Sequence, residues 1–375
     1  MTVLDEVQSV GRKIARNPTA AIHYATKRVR QHLPGPTPWP SIVYVGVNNR
    51  CNYFCEFCDI GRANLEQKRI HSDFVYNLLT LEMAPFDAWK SLVDDVSRFK
   101  PIIAVTTAEP LLYPQLLDLI DHVHSRGMEI WVTTNGFLLP NFAPKFIEHQ
   151  LDRLQVSIDG PPEIHDKIRG VKGGFQRAID GIDFILKNRR AKNPYVSLNF
   201  TVCDLNFDRL VDTIKEVRCD EITFSHLNFV TNEMAHAQNA GTAFQATSTS
   251  ISRVQLDSID LDVLHKQCEE LRKWKGDPLV KISPDLDRGG LDIHYREHPK
   301  PLKHMRTCNA MTQVGQILAD GNVTVSTRCL STIRFGNITQ QPFTEIWRGT
   351  EFQNFRRYMR KTKLMPACMR CCGAL

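Results

Sequence analysis

The sequence predicts an α/β fold on a parallel sheet, and three observations carry that expectation. Short β-rich runs alternate with longer helical stretches; each helical stretch is long enough for a crossover; and 375 residues, 42% of them hydrophobic, supply a large core. Strands joined by helical crossovers run parallel with both faces covered. Six strands are counted, at Ile42 to Val47, Ile102 to Thr106, Ile130 to Thr134, Leu154 to Ile158, Val196 to Val202 and Ile222 to Phe224. Helix-like stretches fall at 86–98, 114–126, 143–150, 173–188 and 206–217. Six such units fit a partial or closed α/β barrel, and an open doubly wound sheet shares the same local pattern.

The flanks read differently. Residues 1–35 have helical character, with Val7, Val10, Ile14 and Ala15 near helical spacing, and end in the Pro-rich stretch 34–40, which is a connector. Residues 231–252 are polar and poor in bulky apolar groups, so a linker and a domain boundary are expected there. A helix follows at about 253–274. Then Gln316 to Leu318, Asp320-Gly321 and Val323 to Val325 spell a hairpin, because Asp-Gly suits a tight turn between β-prone runs. The last forty residues are basic and helix-like. The expected units are 1–40, 41–230, 231–305 and 306–375.

The net charge of +6 is unevenly spread: residues 1–35 carry six basic and two acidic side chains, and residues 346–375 seven and one. Basic ends suit an anionic partner, yet no aromatic-and-basic repeat of a single-strand binder accompanies them, so nucleic acid is disfavoured. The ends would also suit a phosphorylated substrate or a membrane surface. No run of 18 apolar residues exists, so no membrane span is expected. Eleven cysteines, an odd number without a secretory signal, argue against a disulfide framework and for a reduced, cytoplasmic protein with metal or cluster ligation.

Position divides those cysteines. Cys51, Cys55 and Cys58 form C-x3-C-x2-C directly after the first strand. Three thiolates from one short loop can hold three irons of a [4Fe-4S] cube and leave the fourth open. A zinc site with a distant fourth ligand, or three unrelated cysteines, are the alternatives. Cys308, Cys329, Cys368 and Cys371 make a set of four, which suits either a closed cluster or a zinc ribbon. Cys372 is an adjacent substitute for Cys371. Cys203, Cys219 and Cys268 read as buried small hydrophobes.

The run Cys51-Asn-Tyr-Phe-Cys55-Glu-Phe57-Cys58 resembles the signature of the radical S-adenosylmethionine (SAM) enzymes. The resemblance covers 41–226, and the tail 308–372 is similar to the SPASM or shorter twitch extension through Gly336-Asn337-Ile338, Glu345-Ile346-Trp347 and Cys368-x-x-Cys371. It implies a partial (βα)6 TIM-like barrel with a small hairpin-and-helix extension. The open iron would chelate SAM, whose reductive cleavage yields a 5′-deoxyadenosyl radical, with an electron donor such as flavodoxin or ferredoxin. One auxiliary [4Fe-4S] cluster is expected on Cys308, Cys329, Cys368 and Cys371, since a full extension has further cysteines. By the same resemblance Phe57 lies near the adenine, Thr107-Ala108-Glu109-Pro110 stands where the family has Gly-Gly-Glu-Pro and receives the SAM ammonium, and Thr133-Thr134-Asn135-Gly136 ends the third strand. Ser157 would bond the ribose, and Arg169 the SAM carboxylate.

The resemblance further implies oxidation or rearrangement of a small metabolite, such as a sugar or lipid-linked group, or of a peptide. Four thiolates on the auxiliary cluster leave no open iron and favour oxidation by electron transfer. The first forty residues do not resemble a leader-binding winged helix, which lowers the alternative of a peptide maturase forming a cross-link or epimer. Asn199, Ser225, His226 and Asn228 are expected at one mouth, with His226, Glu233 and Asp285 as candidate bases. A zinc-stapled nucleic-acid-binding module is the non-enzyme alternative, and leaves Glu109, Asn135, Ser157 and Arg169 unexplained.

Overall fold

The computed structural model describes residues 37–60, 82–251, 253–298, 300–303, 305, 307, 308, 310–326 and 333–371. The helix expected at 1–35 lies outside them. Seven strands, β1 (Ile42–Val45), β2 (Ile102–Val105), β3 (Ile130–Thr134), β4 (Arg153–Ser157), β5 (Tyr195–Val202), β6 (Glu221–His226) and β7 (Leu279–Ser283), lie side by side in parallel. Beyond β1 the sheet continues with β8 (Val314–Ile317), also parallel, and β9 (Val323–Thr324), antiparallel to β8. The order is β7-β6-β5-β4-β3-β2-β1-β8-β9, a TIM-like barrel whose sheet is not closed.

Period-two alternation assigns the two faces. Val43, Val45, Ile103, Val105, Ile130, Val132, Leu154, Val156, Leu198, Phe200, Ile222 and Phe224 are all at most 1% exposed and share one core with the covering helices. Those helices are α1 (Phe86–Val96), α2 (Leu116–Ser125), α3 (Leu139–Glu148), α4 (Pro162–Arg169), α5 (Gly174–Asn188) and α6 (Leu210–Glu216), supplying residues such as Leu92, Ile120, Phe146 and Ile182. The alternate positions Thr133, Gln155, Ser157, Asn199, Thr201, Thr223 and Ser225 form a polar, partly exposed inner face.

Beyond β6 the structure departs from expectation. The polar stretch 231–252 holds a helix, α7 (Asn232–Gly241), whose start is capped when the Thr231 side chain accepts from Met234 N. Met234, Ala235 and Gln238 are buried, and Gln238 Oε1 accepts from Ala367 N at 3.1 Å. Three buried positions among ten are too few to announce a helix from sequence. The expected helix at 253–274 is the shorter α8 (Leu261–Arg272), started by Asp260, which accepts from Asp262 N and Val263 N. Strand β7 escapes the pattern because it is an edge strand with no fully buried residue. Helix α9 (Arg288–Tyr295) follows it.

The hairpin exists, but β8 pairs with β1, so the C-terminal segment extends the barrel sheet. A short α10 (Ala310–Gln313) precedes it, and α11 (Phe343–Arg348) and α12 (Thr350–Thr362) complete the tail. The Pro-rich connector is pinned there: Trp347 donates to Pro38 O at 3.1 Å, and the Arg348 guanidinium lies 4.0 Å from the Trp39 ring. No helix among the described residues is long and apolar enough to cross a membrane.

Candidate active site

The loop bearing Cys51, Cys55 and Cys58 leaves the C-terminal end of β1 and is seated by two neighbours. On one side Asn48 Nδ2 donates to Glu109 O at 3.0 Å, and Glu109 N donates to Arg50 O at 2.9 Å. On the other, Phe54 N donates to Arg169 O at 3.0 Å and Glu56 N to Ile168 O at 2.9 Å. The loop thus takes up carbonyls that the end of α4 would otherwise leave unpaired. Two glycines make room. A Cβ on Gly170, at φ +67°, would lie 2.8 Å from Phe54 Cβ, and one on Gly174 would lie 2.5 Å from Tyr53 Oη.

Cys55 is buried, and Cys51 and Cys58 are partly so. Burial, followed by the field of neighbouring thiols, pushes Cys51 up to about 12; burial pushes Cys55 to about 12 as well, with Arg169 opposing. Three thiols in one another's field, unpaired by disulfides, fit a cluster that would take them as thiolates. Among the described residues no three His, Cys, Asp or Glu side chains are drawn close enough to hold a single metal ion.

Glu109 is fully buried, and burial lifts its carboxyl to about 6. Against that, its Oε1 accepts from Leu111 N (3.0 Å) and Thr134 Oγ1 (2.7 Å), and its Oε2 from Asn135 N (2.8 Å). Three of about four acceptor positions are filled, which leaves one on Oε2. The preceding Thr107 and Ala108 both have positive φ, 75° and 51°. That is the conformation glycine adopts freely, held here by a β-branched residue and an alanine.

Asn135 Nδ2 donates to Asn52 Oδ1 at 2.7 Å and lies 3.9 Å from Cys51 Sγ. Arg169 is buried; its Nε donates to Asp159 Oδ2 at 2.5 Å, its Nη1 faces Cys55 Sγ at 3.6 Å, and its guanidinium lies 5.3 Å from the Phe57 ring. Burial opposes that charge, but Asp159 and Cys55 together raise its pKa. Asp159 is itself held by Thr201 N at 2.7 Å. Ser157 pairs in register with Asn199 on the partly exposed inner face.

The three candidate bases do not converge on this loop. His226 shares the helix-facing side with Ile222 and Phe224, where its Nδ1 meets Tyr295 Oη at 2.8 Å; burial lowers it to about 4. Its neighbour Ser225 does face inward and donates to Asn199 Oδ1 at 3.0 Å. The shared mouth expected for His226 is therefore corrected by strand alternation. Glu233 is exposed in the first turn of α7, and Asp285 is exposed and bridged by Arg272 at 2.6–2.9 Å.

Sequence reasoning missed an ionic group on the inner wall. Glu221 accepts from Arg153 and Lys281, each at 2.6 Å, and the Arg153 guanidinium lies 5.1 Å from the Trp131 ring and 5.0 Å from the Tyr195 ring. Burial raises the Glu221 pKa, but the two cations more than offset it and keep the carboxylate ionised. The signal was available in Arg153, Gln155 and Ser157, a polar run at every second position of β4.

At the C-terminal end, Cys368 is buried, Cys371 N donates to Cys368 O at 3.1 Å, and Cys308 is partly buried. Cys329 and Cys372 lie outside the described residues. A cavity of about 640 Å³ lies between Arg334, Asn337, Gln341 and the start of α12, and none of its lining residues belongs to the Cys51 loop.

Residues 45–217 match the model of the radical SAM superfamily, and residues 308–372 that of the SPASM iron-sulfur cluster-binding domain. The chain is 26% identical over 377 residues to Fe-coproporphyrin III synthase of Methanosarcina barkeri, covering 94% of this chain and 87% of that protein. It is 26% identical over 301 residues to the AdoMet-dependent heme synthase of the same organism, covering 76% and 78%. The fold is similar to Streptococcus suis SuiB bound to S-adenosylmethionine, with TM-score 0.61, 13% identity, and coverage of 100% of this chain and 84% of that one. With the two matched segments spanning the Cys51 loop and the Cys308 to Cys371 set, the chain belongs to the radical SAM superfamily and carries a C-terminal SPASM domain.

Proposed function

We propose that this enzyme abstracts a hydrogen atom from a small anionic metabolite held against the inner face of its sheet, and that modified tetrapyrroles are the substrate class. The observation that carries this reading is the match to Fe-coproporphyrin III synthase along 94% of the chain, supported by the second match, to a heme synthase. The ionic group of Glu221, Arg153 and Lys281 opens β4 and β6 at the ends of those strands opposite Ser157 and Ser225, so it braces the sheet and is not the substrate contact in this reading.

In this reading Cys51, Cys55 and Cys58 hold the SAM-binding [4Fe-4S] cluster. Bound cluster and SAM supply a 5′-deoxyadenosyl radical. The remaining acceptor position of Glu109 Oε2 receives the SAM ammonium, a charge-assisted bond made inside a dry site. Arg169, held by Asp159, presents its fork to the SAM carboxylate, while Ser157 takes the ribose and Phe57 the adenine. Asn135 fixes the Cys51 side of the loop through Asn52. Thr107 and Ala108 turn the backbone toward the same place. Cys308, Cys329, Cys368 and Cys371 would hold one auxiliary [4Fe-4S] cluster, which would take the electron given up by the substrate radical while its proton passes to solvent, so that the outcome is oxidation; flavodoxin or ferredoxin would supply the separate electron that cleaves SAM. The helix-facing His226 and the exposed Glu233 and Asp285 take no part.

The test is 5′-deoxyadenosine formation by the anaerobically reconstituted chain with dithionite and SAM, in the presence of a panel of iron tetrapyrroles that includes Fe-coproporphyrin III and its precursors, a sugar nucleotide or a peptide pool. Stimulation by a member of the tetrapyrrole panel alone is the expected result. Stimulation only by the sugar nucleotide or the peptide would replace the tetrapyrrole reading with that class.

A further inference from the structure

Arg370 stands between two expected auxiliary ligands, Cys368 and Cys371, and is 2% exposed. All five of its N–H groups donate to backbone carbonyls. Nε reaches His294 O at 2.6 Å; Nη2 reaches Ile293 O and, at 2.9 Å, Glu297 O; Nη1 reaches Lys300 O at 2.9 Å and Met369 O at 2.6 Å. Ile293 and His294 belong to the last turn of α9, where unpaired carbonyls and the negative end of the helix favour a cation. Four of the five bonds therefore join the C-terminal cysteine turn to the barrel-side segment 293–300.

The charge has no carboxylate partner among the described residues. Glu297 offers Arg370 its backbone carbonyl, while its carboxylate pairs with Lys300 at 2.5 Å. Arg370 and Cys371 line one small cavity together with Asn228, Pro284, His294, Leu302, Met305 and Met369, and the cation is shielded from bulk water. A positive charge in a poorly screened setting favours the more negative, reduced state of an adjacent cluster.

We propose that Arg370 is a positioning residue for the auxiliary cluster, anchoring the Cys368–Cys371 turn to the end of α9 and raising the cluster's midpoint potential through its buried charge. This rests on the reading that those cysteines hold an iron-sulfur cluster. Two variants separate charge from anchoring: Arg370→Lys keeps the charge and cannot make five planar bonds, whereas Arg370→Gln loses the charge.

The full chain, reconstituted anaerobically, is analysed for iron and its auxiliary cluster titrated by electron paramagnetic resonance. The wild type should bind about eight irons, as two cubanes require. Arg370→Lys should bind less auxiliary iron than the wild type, and the cluster that it keeps should hold a midpoint near the wild-type value. Arg370→Gln should bind less auxiliary iron too, and the cluster that it keeps should have a more negative midpoint, the SAM-binding cluster remaining in both. Equal shifts in the two variants, or an Arg370→Gln protein with unchanged iron and midpoint, would overturn the role of the charge. About four irons in the wild type would instead remove the auxiliary-cluster reading and the proposal with it.

Discussion

At Glu109 the ordinary carboxyl value of 4.5 is lifted to about 6 by complete burial, against three hydrogen bonds that favour the ionised form. Because the folded value lies above the unfolded one, the folded chain holds this proton more tightly. The group's contribution to stability is therefore present below about 4.5 and lost as pH rises through about 6. Ligand binding runs the other way, since the SAM ammonium needs the carboxylate. SAM affinity should fall by up to about tenfold per pH unit below 6, and Glu109→Gln should bind weakly with a flat profile between pH 7 and 5; equilibrium dialysis reads both. Two residues earlier, Thr107 sits at φ 75°. Replacing it with glycine relieves backbone strain of about 1–3 kcal/mol, against about 0.5–1 kcal/mol of added chain entropy. Thr107→Gly should therefore raise the melting temperature. The glycine expected from the family's motif is absent in sequence while its backbone geometry persists, which residue identity alone could not reveal.

At the scale of elements, the Cys51 loop owes its place to α4. In the sequence Arg169 reads as a SAM contact. The structure adds a second role, because Arg169 O, Ile168 O, Gly170 and Gly174 seat the loop itself. Contacts spanning more than a hundred residues leave no local trace, so this role was not legible. Gly170→Ala combines a clash with a positive φ and should cost about 2 kcal/mol of stability. It should also lower iron at the SAM site while the auxiliary iron stays, as metal analysis would show. In the tail, the buried Arg356 joins three helices: its Nε donates to Met311 O at 2.8 Å, its Nη1 donates to Trp347 O at 2.6 Å, and its guanidinium lies 3.8 Å from the Phe352 ring. Arg356→Met leaves two carbonyls without their donor and should lower stability by about 2–4 kcal/mol, read as a lower urea midpoint.

Across the whole molecule, the alternation of strands and helices made the barrel legible, because apolar β-runs such as Val196 to Val202 are bounded by long helical patterns. The additions at its edges were hidden. Strand β7 carries Lys281 and exposed Leu279, and β8 can be placed beside β1 only once the chain has folded. That Cys51, Cys55 and Cys58 share one loop was legible from spacing, whereas the placement of His226 was not, since one step along β6 moves a side chain to the opposite face. What unites barrel and tail is the claim that two thiol sets hold two clusters of different purpose. Anaerobic iron analysis of the Cys51→Ala/Cys55→Ala/Cys58→Ala chain, paired with an assay for 5′-deoxyadenosine, tests that claim most directly. About four of the wild type's eight irons should remain and SAM cleavage should vanish; a triple variant that still cleaves SAM, or a colourless wild-type protein carrying zinc and no iron, would contradict it.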